Sequence, residues 1–210
     1  MLVIGLIGSF GSGKSTVKNL LQEKGAVIID ADEVGHSVYK PGSDVWKKII
    51  DAWGVEILQP DDEIDRVKLG SIVFSDQKEL ERLNQIVHPA IEGAISRRFE
   101  ELRANNTPTV VLEAAILIEA GWRHLVDEVW LVNADRDVVL KRLMEDKGLT
   151  EQQVKMRLDR QMPVEEKTRY SDVVIENDGD IVTLRNTLDN LWAERFGNSG
   201  SSERSIRPNL

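Results

Sequence analysis

Five short, almost unbroken apolar runs punctuate the chain, at residues 2–7, 27–29, 110–112, 129–132 and 173–175. They show no apolar/polar alternation, so they predict strands buried on both faces, the pattern of a parallel sheet. The segments between them carry helical periodicity instead. Val17, Leu20 and Leu21 share one helical face that closes at Gly25. Strands alternating with helices predict a doubly wound three-layer α/β/α fold with a five-stranded sheet.

The long stretch 32–106 has no strand signal but several helical faces. Val45, Trp46, Ile49, Ile50 and Trp53 form one that stops at Gly54, and Val67, Leu69, Ile72 and Val73 form a second. Asp76 with Glu79 predicts a capping box for a third helix carrying Leu80, Leu83, Ile86 and Val87. Pro89 is expected to end that helix, after which Ile91, Ile95, Phe99 and Leu102 resume the face. By position this helical insertion (about 33–106) would cover the acceptor side of a site built on the sheet. Residues 135–162 read as two helices joined at Gly148, the second capped by Thr150 with Gln153. Two roles are open to this charged segment: a lid bringing arginines over a ligand, or a solvated hairpin. The final helix, with Ile181, Leu184, Leu188, Leu191 and Trp192, reads as structural, and the Gly/Ser-rich residues 197–210 as a disordered tail.

Between the first strand and the first helix lies Gly8-Ser9-Phe10-Gly11-Ser12-Gly13-Lys14-Ser15, which matches G-x-x-x-x-G-K-[ST]. Its glycines let successive backbone N–H groups turn inward, where they and the helix N-terminus attract anionic oxygens. Lys14 is placed to reach the β/γ-phosphates and Ser15 to ligate Mg²⁺. The strand before it and the helix after it supply the required context.

Other candidates follow from position. Asp30 and Asp32 come directly after the second strand, at the carboxyl edge where ligands bind in such sheets. One would bind metal or accept a hydroxyl proton; either is also a good helix N-cap. Glu113 ends the third strand, where an acid orients Mg²⁺ directly or through water. His36, His88 and His124 show no metal-ligand spacing. His88, before Pro89, is open to a substrate contact or a structural hydrogen bond.

Composition narrows the partners. The 210 residues, 41% of them apolar, suit one domain with a substantial core. Absence of cysteine excludes disulfides, thiolate metal sites and cysteine nucleophiles. No run reaches membrane-spanning length and no charged leader precedes the first strand, so a cytoplasmic, soluble protein is expected. A net charge of −9 disfavours nucleic acid. Anionic ligands then require local cations, drawn from Arg66, Lys68, Arg97, Arg98, Arg142, Arg157 and Arg160.

Taken in order, the phosphate loop through Thr16, Ile29-Asp30-Ala31-Asp32, Pro41-Gly42, Asp65-Arg66 through Phe74, Leu83-Asn84 with His88-Pro89, Arg142-Leu143, Arg157 with Gln161, and Asp172-Val173-Val174-Ile175 with Asn177 resemble the dephospho-CoA kinase family. The resemblance implies a P-loop, nucleoside-monophosphate-kinase-like domain over 1–196, with core 1–32 and 107–196, a CoA-side insertion and a lid. It implies transfer of the ATP γ-phosphoryl to the ribose 3′-hydroxyl of dephospho-CoA with Mg²⁺, by a monomer or small homo-oligomer. By the same carry-over, Gly11, Ser12, Gly13, Lys14, Ser15, Thr16, Arg142, Arg157 and Asn177 hold ATP, Asn177 near the adenine. Lys14, Asp32 and Arg142 serve catalysis, Asp32, Arg66, His88 and Glu119 the acceptor, and Ser15 and Glu113 the metal.

Two departures stand out. Glu113-Ala114-Ala115-Ile116-Leu117-Ile118-Glu119 replaces the usual bacterial Pro-Leu-Leu stretch, nearer to the kinase half of animal bifunctional CoA synthases. Asp146-Lys147-Gly148 replaces the usual Arg-Asp-Gly, so one lid arginine is absent, which weakens phosphate clamping unless Lys147 substitutes. A kinase for another hydroxyl-bearing metabolite would carry a similar loop and fold. A guanine-reading switch would need an Asn-Lys-x-Asp run, which the chain lacks.

Overall fold

The computed structural model describes residues 1–159 and 161–197. Arg160 and the expected tail beyond Gly197 lie outside the described residues. All five strands form one parallel sheet in the order β2-β3-β1-β4-β5. They are β1 (Leu2–Gly8), β2 (Val27–Asp30), β3 (Thr109–Glu113), β4 (Glu128–Asn133) and β5 (Val173–Glu176). The three central strands are apolar on both faces because helices cover both faces.

On one face pack α1 (Lys14–Glu23) and α9 (Ile181–Phe196), which bury Val17, Leu20, Leu21, Leu184 and Leu188 against Ile4, Leu6 and Trp130. The other face is closed by α5 (Gln77–Ala104) through Ile91, Ile95, Phe99 and Leu102. Ile95 is fully buried there, and truncation to Ala would cost roughly 2–5 kcal/mol.

Between β2 and β3 run α2 (Ala31–Val38), α3 (Asp44–Trp53), α4 (Arg66–Val73) and α5. Ile49, Ile57, Ile64, Leu69 and Val73 form a separate apolar cluster with the N-terminal half of α5. One helix thus joins this cluster to the sheet, contrary to the expectation that Pro89 would break it. Proline removes only its own N–H bond, to the carbonyl of Gln85. Gln85 and Pro89 are both exposed, so the freed carbonyl faces water and the buried face continues unbroken.

The cap at Asp76 also differs in detail. Its side chain accepts from the Lys78 N–H, while Glu79 accepts from Trp53 Nε1 at 2.7 Å, so no capping box forms. Glu79 ties α5 to α3 instead. The segment after β4 folds as read: α6 (Arg136–Lys147) ends at Gly148 with φ 60°, and Thr150 and Gln153 form the capping box of α7 (Glu151–Leu158). A short α8 (Val164–Arg169) leads into β5.

Candidate active site

The loop from Gly8 to Ser15 curls at the carboxyl end of the central strand β1. Gly11 (φ 80°) and Gly13 (φ 91°) occupy left-handed backbone that a side chain would strain. Space forbids side chains as well: a Cβ on Gly11 would lie 2.7 Å from Leu143 Cδ1, and one on Gly13 2.1 Å from Asn177 Nδ2. Gly13 is the N-cap of α1 and offers no side-chain partner, so the first N–H groups of that helix stay open toward the cavity. This is the geometry of an anion site.

The cavity above the loop measures about 580 Å³, in the range of small-molecule sites. Lys14, Ser15, Thr16, Glu113, Arg142 and Asn177 all line it. At its floor Glu113 is 7% exposed and bound by two lysines. Lys14 Nζ lies 3.0 Å from Oε1, and Lys18 Nζ lies 2.6 Å from Oε2 as a charge contact outside hydrogen-bond angles. Burial alone would push the Glu113 carboxyl up; the contacts with Lys18 and Lys14 outweigh it and hold the group below the usual carboxylate range. The Lys18 ammonium is raised, mainly by Glu113 and against burial, with Asp30 and Glu33 adding to it.

Asp30 and Glu113 are register partners at the ends of β2 and β3. Asp30 caps α2, accepting from the N–H groups of Asp32 and Glu33, which leaves Asp32 exposed in the first turn and without a capping role. Because the helix starts at Ala31, Asp30 and Asp32 do not share one extended face.

Arg142 donates to the carbonyls of Asn177 (2.7 Å) and Gly179 (3.1 Å), fixing the turn after β5. Asn177 Nδ2 in turn donates to the Ser12 carbonyl at 2.8 Å. The segment from α6 to α8 reaches the loop through Phe10: Gln161 Oε1 accepts from the Phe10 N–H at 2.9 Å, and Lys147 and Arg157 flank its ring at 4.9 and 5.1 Å. Arg157 stands over Phe10 rather than among the cavity-lining residues.

The acceptor candidates lie apart from this cavity. Arg66 stands 5.9 Å over the Tyr39 ring and lines a second cavity of about 270 Å³ with His36 and Lys40. His88 meets Trp122 edge to face at 5.4 Å, and burial pushes its imidazole below the usual range. Glu119 is exposed in the connection after β3.

Two lysines escaped the sequence reading. Lys18 follows Lys14 by one helical turn, and that i, i+4 spacing was a usable signal. Lys167 is 2% exposed on α8, yet sits in a charged run that reads as surface. Burial pushes its ammonium down, with the Glu119 charge opposing and the Lys14 charge adding to the effect.

A parallel sheet in this order, with a glycine-rich phosphate loop and a buried acid on the neighbouring strand, defines a P-loop kinase. A family model described as dephospho-CoA kinase matches residues 2–183, so the chain belongs to the dephospho-CoA kinase family. The dephospho-CoA kinase of Geobacter sulfurreducens is 44% identical over 196 residues, covering 93% of this chain and 100% of that protein. That of Geobacillus kaustophilus is 45% identical over 178 residues, 85% of this chain and 89% of that one. Among solved structures, dephospho-CoA kinase from Campylobacter jejuni superposes with a TM-score of 0.70 at 27% identity, covering 93% of this chain and 98% of that one. TT1252 from Thermus thermophilus gives 0.76 at 33% identity, covering 92% and 97%.

Proposed function

We propose that this chain transfers the γ-phosphoryl group of ATP to the ribose 3′-hydroxyl of dephospho-CoA, giving CoA and ADP. The observation that carries the reading is the Lys14–Glu113 pair at 3.0 Å on the floor of the loop cavity, in a chain of this family. The open N–H groups at the start of α1 and Lys14 hold the β- and γ-phosphates. A new bond forms between the 3′-oxygen and the γ-phosphorus while the bridging β,γ-oxygen leaves with ADP; the hydroxyl proton passes to Asp32, beside the ends of β2 and β3.

Mg²⁺ fits the donors present. It takes oxygen ligands, one or two of them carboxylates, alongside substrate phosphates. The Ser15 hydroxyl and the buried Glu113 carboxylate, which line the same cavity, match that demand. When bound, the metal neutralises charge on the transferring phosphates.

Residues 33–106 are assigned to the acceptor, with Arg66, His88 and Glu119 toward it, and 135–162 to a lid carrying Arg142 and Arg157. Asn177 supports the loop and the adenine side. Among the described residues no helix is long and apolar enough to cross a membrane, and the net charge of −9 argues against nucleic acid. The enzyme is assigned to the cytoplasm, as a monomer or small homo-oligomer.

The test is incubation of the purified chain with Mg-ATP and dephospho-CoA, and in parallel with shikimate and nucleoside monophosphates, followed by mass spectrometry. Gain of one phosphoryl group by dephospho-CoA alone is expected. Preferential phosphorylation of another acceptor overturns the assignment.

A further inference from the structure

We infer that Lys18 is a positioning residue that lets Lys14 leave Glu113 for the nucleotide, by keeping the buried Glu113 carboxylate neutralised when Lys14 moves. The inference rests on the phosphate-loop reading of Lys14 but not on the identity of the acceptor.

The geometry is a competition. Lys14 is the residue the nucleotide phosphates must capture, yet its ammonium is bound to Glu113 Oε1 at 3.0 Å. Glu113 is 7% exposed, and a buried carboxylate left with no counter-ion is strongly disfavoured. If Lys14 were its only partner, a nucleotide that drew Lys14 away before a metal reached Glu113 would strand that charge. Lys18 removes the problem. Its Nζ lies 2.6 Å from Oε2, the other oxygen of the same carboxylate, and 3.8 Å from Asp30 Oδ2 at the end of the adjacent strand.

The position is well suited to holding rather than binding. Lys18 sits one turn along α1 from Lys14, so the helix that presents Lys14 to the cavity carries Lys18 behind it. Lys18 does not line the cavity, whereas Lys14 and Glu113 do. Asp30 is itself fixed, because its Oδ1 caps α2 through the N–H groups of Asp32 and Glu33. Lys18 therefore bridges two anchored carboxylates on neighbouring strands. Loss of Lys18 would leave Lys14 as the sole counter-ion of Glu113 and make it harder for phosphate to draw away.

The decisive experiment is equilibrium binding of ATP, with magnesium chelated and without acceptor, to wild type, Lys18→Met, Lys18→Arg, Glu113→Gln and the double variant Lys18→Met/Glu113→Gln, each checked for an unchanged melting temperature. Lys18→Met is expected to weaken binding about tenfold, equivalent to roughly 1.4 kcal/mol. Lys18→Arg should restore most of it, since the guanidinium keeps the charge. In the Glu113→Gln background, where no carboxylate holds Lys14, the same methionine change should have less than about a twofold effect, the mark of coupling through Glu113. Wild-type affinity in Lys18→Met, or an undiminished loss in the Glu113→Gln background, would overturn the inference. Because binding is read without acceptor, a failure to phosphorylate dephospho-CoA strikes the acceptor assignment alone.

Discussion

Asn177 Nδ2 donates to the carbonyl of Ser12 at 2.8 Å, so the turn after β5 props the phosphate loop from beneath. Both groups are buried, and Gly13 is packed so closely that a Cβ would sit 2.1 Å from the same nitrogen. Asn177→Ala should cost about 1–3 kcal/mol of stability for the unpaired carbonyl and weaken nucleotide binding. Gly13→Ala should abolish nucleotide binding, since it meets both the clash and the left-handed φ. Urea unfolding with nucleotide titration checks both; normal affinity in Gly13→Ala would show that the loop does not need this packing.

Phe10 joins the loop to the α6–α8 segment, its ring flanked by Lys147 and Arg157. Arg157→Lys keeps the charge but loses the planar stack, worth about 0.5–1 kcal/mol, so kcat/KM should fall about two- to fivefold. Arg98 is a suitable reference, being exposed and, among the described residues, paired only with Glu101 at 2.7 Å. Arg195 is not, because it covers Trp130 at 5.8 Å and pairs with Glu128. Equal kinetics for Arg157→Lys and Arg98→Lys would reduce the segment to a solvated hairpin.

Lys167 is 2% exposed, and among the described residues no ion pair is found for its ammonium. Burying a charge without a close partner costs stability, and an apolar replacement of similar shape removes that cost. Lys167→Met should therefore unfold at an equal or higher urea concentration than wild type. A loss of more than about 1 kcal/mol would mean that the ammonium holds the fold together.

The pH dependence of stability has a defined sign at His88. Its folded pKa is depressed by burial beside Trp122. As pH falls through the ordinary histidine value of about 6.5, the unfolded chain takes up a proton that the native chain refuses, and stability drops until the native imidazole also titrates. His88→Gln should flatten this part of the profile. Urea midpoints at pH 7.5 and 5.5 give the comparison, and an equal decline in both proteins would contradict it. His124 acts in the opposite sense, since hydrogen bonds to Gly121 and Glu92 raise its pKa.

The sheet and the loop were legible because their signals are local: continuous apolar runs mark doubly buried strands, and four fixed positions mark the loop. The same locality explains the misses. Pro89 reads as a breaker unless one knows that Gln85 faces solvent. Glu79 reads as half of a capping box unless Trp53 is known to lie across from it. Asp30 and Asp32 share a face only if the strand continues, whereas the helix begins between them. Lys167 looks like surface because its burial depends on α8 packing against β4, which its neighbours in sequence do not encode. Glu113 was readable as the strand-end acid, and Lys18 one turn beyond Lys14 gains meaning only once α1 is known to pack beside the end of β3.

The reaction is defined by where the phosphoryl group goes. The most direct measurement is phosphorus–proton correlation NMR of the product made by the wild-type protein from Mg-ATP and dephospho-CoA. Coupling of the new phosphorus to the ribose H3′ proton is the predicted result. Coupling to H2′, or ATP consumed with no new phosphorus on the ribose, would contradict it.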